Sequence, residues 1–257
     1  MEFNFNWIGG ATFIVSIADI KIAVDPVLCK KGTVQNYFWF KSMRIEEPVY
    51  EKSDFENIDL WLITHNHLDH LDSEGLEVIT DNAKIITNYN ASTVLYKSGK
   101  TNVTVLKWHQ KSVFICKGYT ITIQAIPAIH GINPLSAFFA GKVNGYFVTI
   151  NKDNQELSIY ITSDTVYKKV VLKPIVSKKI DVLIPNMGAA KKGTWIMTLT
   201  LDSAMLEKLI SKINPLIVIP VHYGTFAHYY ETSEAIKALN NPRILMVKVG
   251  SKTALKV

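Results

Sequence analysis

The apolar run Leu60-Trp61-Leu62-Ile63-Thr64 ends directly in His65-Asn66-His67-Leu68-Asp69-His70. The run reads as a buried strand. Three imidazoles and a carboxylate therefore stand where that strand gives way to a loop. A straight strand sends neighbouring side chains to opposite faces, and a bent strand end can turn them inward together. This density of nitrogen and oxygen donors suits one or two divalent transition ions. A solvated polar turn is the bland alternative, and the donor spacing disfavours it.

The same arrangement recurs along the chain. His130 follows the strand-like run 120–129, Asp164 follows 157–163, and His222 follows 217–221. A lone histidine is more often a satisfied polar residue than a ligand. Donors past several separate strand ends point instead to one site assembled from distant segments, because strands fix position there and loops open. Asp25 ends the run Ile20-Lys21-Ile22-Ala23-Val24, and Pro26 stops that strand. It is read as the carboxylate that takes the free ring N–H of a ligand histidine, with a turn-initiating Asp-Pro as the competing reading.

The Thr64–His70 signature, with His130, Asp164 and His222 in order, resembles the metallo-β-lactamase-fold hydrolase superfamily. The opening segments 7–13 and 23–26 also look like that family's first hairpin. A branch containing ascorbate-6-phosphate lactonase is similar, although it typically has His where this chain has Gly10. The resemblance implies an α/β fold: a four-layer αββα sandwich of two mixed sheets packed face to face, helices outside, as one domain over 1–257. It further implies that His65, His67 and His130 hold a first metal and that Asp69, His70 and His222 hold a second, with Asp164 bridging. Zn2+ is the first expectation, with Mn2+ or Fe2+ as alternatives. Two such cations share a water and lower its pKa towards 7, giving hydroxide that attacks a carbonyl carbon or phosphorus. Asp69 is the expected catalytic residue, orienting that water.

Periodicity places strands near 3–8, 12–24, 58–64, 84–88 and 102–107, then 112–116, 119–127, 145–150, 156–162, 180–185 and 217–222. Helices are expected near 90–98, 166–178, 202–213 and 231–240. With 257 residues, 48% of them hydrophobic, the chain can bury one sizeable core. Charged or amide residues interrupt every apolar run before it reaches membrane-spanning length, so no membrane contact is expected. The N-terminus lacks signal-peptide character, and the two isolated cysteines suit a reducing compartment; a cytoplasmic location follows as an expectation.

A net charge of +6 favours an anionic small-molecule substrate. Its lysines are dispersed, without the basic arm that nucleic acid would need. Lys192, in the pair Lys191-Lys192 after the strand-like run 180–185, is a candidate phosphate contact. His228 is a second candidate, facing substrate or solvent. The segment 28–50 carries Tyr37, Phe38, Trp39, Phe40 and Tyr50 and is read either as a flap over the site or as a buried or intersubunit aromatic cluster. The leading function is hydrolysis of a small ester, lactone or phosphate ester. A nuclease or nucleotide phosphodiesterase is the alternative, and di-iron redox chemistry ranks below it. Homo-oligomerisation stays open.

Overall fold

The computed structural model describes residues 1–37, 40–134, 137, 141–190 and 198–257. Its first sheet is built from β1 (Glu2–Gly9), β2 (Thr12–Ile17), β3 (Ile20–Val24), β6 (Leu60–Leu62), β7 (Ile85–Thr87), β8 (Val103–Val105) and β15 (Lys252–Lys256), in the order β15-β1-β2-β3-β6-β7-β8. The second contains β9 (Lys111–Cys116), β10 (Tyr119–Ala128), β11 (Val143–Lys152), β12 (Gln155–Ile161), β13 (Val182–Ile184) and β14 (Ile217–Val218), in the order β14-β13-β12-β11-β10-β9. A small hairpin, β4 (Val34–Tyr37) with β5 (Phe40–Met43), stands apart from both.

Each sheet is mixed. β1, β2 and β3 form an antiparallel meander, and β3, β6, β7 and β8 run parallel. In the second sheet β9 to β12 are antiparallel, and β12, β13 and β14 are parallel. The C-terminal ends of β3, β6 and β7 therefore share one edge, as do those of β10, β12, β13 and β14. Every expected donor leaves from such an end.

Strand alternation builds the layers. Leu60 and Leu62 enter the main core with Phe5, Phe13, Ile121, Ile123, Tyr146 and Ile159, contributed by both sheets. Trp61 and Ile63 point the other way and pack with Ala91 and Leu95 of α2 (Tyr89–Lys97) on the outer face. α1 (Ser73–Val78) follows the histidine-rich loop, and α3 (Lys169–Leu172) follows β12. α4 (Ser203–Ile213) covers the second sheet, burying Leu206, Leu209, Ile210 and Ile213 at helical spacing. Its Asp202 side chain accepts from the Met205 amide, and Asn214 ends it in a left-handed conformation at φ 49°. α5 (Ser233–Ala238) completes the set among the described residues.

The expected 12–24 strand is two strands, split at Ala18, whose φ is +51°. No Gly or Pro marks that turn. The expected 166–178 helix shortens to Lys169–Leu172, because Pro174 has no N–H to continue it. The segment read as irregular, 28–50, contains the β4–β5 hairpin. β15 was not expected; it is short, lysine-rich and half-exposed, and pairing with β1 creates it. No helix among the described residues is long and apolar enough to cross a membrane.

Candidate metal centre

The end of β6 is held from several sides. The Ile63 carbonyl accepts from Thr87 Oγ1 at 2.9 Å and from the Tyr146 hydroxyl at 3.0 Å. The Thr64 carbonyl accepts from Asn88 Nδ2 at 2.8 Å and from the Asn144 amide at 3.2 Å, which ties the two sheets together. Asp25, at φ +42°, takes the Thr64 amide on Oδ1 at 2.7 Å and the Thr64 hydroxyl on Oδ2 at 2.6 Å. Beyond His65 the chain turns through amides of His70 and Leu71 that donate to the His67 carbonyl. Asp72 then caps α1 through the Gly75 amide and also accepts from the amides of Leu28 and Cys29.

This framework sets the ring tautomers. His70 Nδ1 lies 2.7 Å from Asp25 Oδ2, so it carries the proton there and turns Nε2 inward. The Thr64 hydroxyl, having donated to Asp25, accepts from His65 Nδ1 at 3.0 Å and frees His65 Nε2. His130 Nδ1 donates to the Leu199 carbonyl at 2.9 Å, leaving its Nε2 3.3 Å from His67 Nδ1. Three rings thus turn Nε2 towards one space.

All seven candidate donors converge. His65, His67 and His130 place ligand atoms within 4.8 Å of one another, and so do Asp69, His70, Asp164 and His222. Asp164 faces both groups: its Oδ1 lies 3.3 Å from His70 Nε2 and 3.5 Å from His222 Nε2, and its Oδ2 lies 3.4 Å from His130 Nε2. Asn186 Nδ2 donates to Asp164 Oδ1 at 3.0 Å. Ser163 and His222 adopt φ of +55° and +64°, a left-handed backbone that turns these loops sharply into the site.

The electrostatics suit cations. Burial pushes His65 well below the usual imidazole range, with His70 and His67 adding to it. Burial, with His130 beside it, pushes His67 down to about 4. Burial also lowers His130. It opposes charge on His70 too, yet Asp164 and Asp25 hold that ring well above its usual value. Burial would raise Asp69 and Asp164; contacts with His222 and His228, and with His222 and His70 respectively, hold both carboxylates well below theirs. His65 Nε2, His70 Nε2 and Asp69 Oδ1 are buried without hydrogen-bond partners. Each such orphan is costly in a dry interior, and divalent cations at the two clusters would satisfy the two ring nitrogens.

His228 Nε2 lies 3.2 Å from Asp69 Oδ2, and its Nδ1 lies 2.6 Å from Ser42 Oγ of the hairpin. Two tyrosines stand beside it: Tyr229, which the sequence did not single out, and Tyr37 of the 28–50 aromatic segment. The Tyr229 hydroxyl contacts Asp69 Oδ2 at 2.9 Å and His222 Nε2 at 2.7 Å. Burial and the Asp69 carboxylate push its pKa well up. Tyr37 stacks on Phe40, with centroids 4.5 Å apart, and stands edge-on to His67. Gln35 latches this hairpin to the Leu68 carbonyl at 2.7 Å. Tyr37 and Phe40 thus lie beside the donor cluster, whereas Tyr50 packs on Phe55 with centroids 5.4 Å apart. Lys191, Lys192, Trp195, Phe38 and Trp39 lie outside the described residues. His109 lies on an exposed turn at φ +72°.

A model of the "Beta-lactamase superfamily domain" matches residues 4–222. The chain belongs to the beta-lactamase superfamily. Among curated relatives, the N-acyl-phosphatidylethanolamine-hydrolyzing phospholipase D 1 of Caenorhabditis elegans is 27% identical over 257 residues, covering 92% of this chain and 69% of the relative. A UPF0173 metal-dependent hydrolase of Alkaliphilus metalliredigens is 26% identical over 239 residues, 91% of each protein. The crystal structure of an isothiocyanate hydrolase from Delia radicum gut bacteria shares the fold, with a TM-score of 0.84 at 21% identity over 99% of both chains. By superfamily and by donor set, the chain is a metal-dependent hydrolase.

Proposed function

We propose that this beta-lactamase superfamily member hydrolyses a small ester, lactone or phosphate ester at two adjacent divalent ions. His65, His67 and His130 would hold one ion, Asp69, His70 and His222 the other, and Asp164 would touch both. The convergence of seven donors, several with orphaned lone pairs, carries this reading. Bound divalent ions acidify water to a pKa of about 7 and polarise the bond under attack.

The chain's own residues supply orientation. His228 holds Asp69 through Oδ2, which leaves Oδ1 to accept a hydrogen bond from the attacking water. Asp25 and Thr64 hold His70 and His65 in the ligating tautomer. Tyr37 and Phe40 of the hairpin give the mouth an aromatic side. His228, half-buried at that mouth beside Phe40, would contact the substrate.

The net charge of +6 favours anionic substrates, and a sugar-acid phosphate lactone is the finer expectation from the likeness to ascorbate-6-phosphate lactonase. Relatives named for a phospholipid and for an isothiocyanate place both phosphorus and carbon electrophiles in the test panel. Metal analysis followed by assay against lactones, phosphodiesters, phosphomonoesters and thioesters tests the proposal. Two ions per chain and turnover of one class are expected, with turnover abolished and metal content lowered in His67→Ala. A folded His67→Ala that keeps both ions and full turnover would reject the ligand assignment.

A further inference from the structure

The expected ligand set leaves one buried polar group of the site without a role. The Tyr229 hydroxyl sits between two acceptor atoms of the second cluster, 2.9 Å from Asp69 Oδ2 and 2.7 Å from His222 Nε2. We propose that the Tyr229 phenol oxygen is a further ligand of the ion held by Asp69, His70, Asp164 and His222, an inference that rests on the metal reading above.

Counting protons carries the proposal. A hydroxyl has one proton to give. Given to Asp69, it obliges His222 Nε2 to bring a proton of its own, and that nitrogen can then no longer ligate. Given to His222, it leaves the Tyr229 and Asp69 oxygens facing each other at 2.9 Å with nothing between them. Asp164 Oδ1 approaches the same nitrogen to 3.5 Å, and Asp69 Oδ2 approaches it to 3.7 Å. Among the described residues the hydroxyl has no other hydrogen-bond partner, and its ring is fixed against His222, Phe226 and His228. Electron-rich atoms thus crowd together with too few protons, and a cation resolves the crowding.

Spacing agrees with this. Bonds of about 2.0–2.2 Å to a five-coordinate ion set neighbouring ligand atoms roughly 3 Å apart. The Tyr229 contacts lie near that value, as does the 3.3 Å from His70 Nε2 to Asp164 Oδ1. Asp69 would ligate through Oδ2, the oxygen beside Tyr229, and keep Oδ1 for water.

Phenolate bound to ferric iron absorbs visible light and gives tyrosine ring modes in resonance Raman spectra; imidazole and carboxylate ligands do not. The full chain, freed of metal, is loaded with ferrous iron, which dioxygen then oxidises to the ferric state. Iron content is measured first. A chain that binds no iron refutes the metal reading itself. Iron-loaded wild type should show the visible band and phenolate modes, Tyr229→Phe should lose them while still binding iron, and Tyr37→Phe should keep them. Bound iron without the band overturns the proposal, as does a band that survives in Tyr229→Phe. If Tyr229→Phe does not fold, Tyr37→Phe decides: a band lost there belongs to Tyr37 and overturns the assignment.

Discussion

Asp25 and His70 meet at 2.7 Å in the interior, carboxylate Oδ2 to ring Nδ1, although 45 positions separate them in the chain. The contact fixes which nitrogen of His70 is free. Asp25→Asn would keep the shape but lose the charge that holds the ring. Metal affinity of the second cluster should fall about 10–100-fold, with the fold retained. Chelator competition monitored by metal release measures it, and unchanged affinity would remove Asp25 from the support of the site.

Thr64 joins two ligand rings through one hydroxyl, donating to Asp25 and accepting from His65. Thr64→Val keeps the volume, leaves His65 Nδ1 without an acceptor and removes one donor from Asp25. A stability loss of about 1–3 kcal/mol is expected in urea unfolding of the metal-free protein. Weaker ion retention should accompany it.

The two clusters should differ in proton release. His70 is held above its usual pKa and carries a proton near neutrality in the metal-free chain, so an ion must displace that proton. Burial keeps His65, His67 and His130 neutral, and His67 titrates only near 4. Loading the second cluster should therefore release at least that proton at pH 7 and weaken as pH falls. Loading the first should release none and stay flat over the same range. Calorimetry in two buffers of different ionisation enthalpy separates these outcomes; equal release at both steps would contradict the assignment.

Gly188 lies against the back of His222. A Cβ there would stand 3.1 Å from His222 Nδ1 and 2.9 Å from Thr200 Oγ1. Thr200 is itself buried and holds the Ala190 amide, so the imidazole has to yield. Gly188→Ala should lower metal content towards one ion per chain, with circular dichroism unchanged. Two tightly held ions in that variant would show that the ring tolerates the shift.

Much of the site is legible in the linear chain because its donors follow strands. A buried strand announces itself by apolar content, and a histidine or aspartate just beyond one is conspicuous. The sequence alone therefore determines the donor inventory, the sandwich of two sheets and the carboxylate of Asp25 at the end of its strand. Tyr229 escapes that reading because it sits in an irregular loop, where an aromatic residue has no periodic partner. Tyr37 escapes for a related reason: an aromatic-rich stretch reads more readily as a buried cluster than as a flap until the Gln35 latch fixes the hairpin beside His67. Tertiary structure alone decides which nitrogen of each ring is free and how Asp164 divides its two oxygens between the clusters. Those choices depend on hydrogen bonds between segments far apart in sequence, and side-chain direction exists only once the sheets have packed.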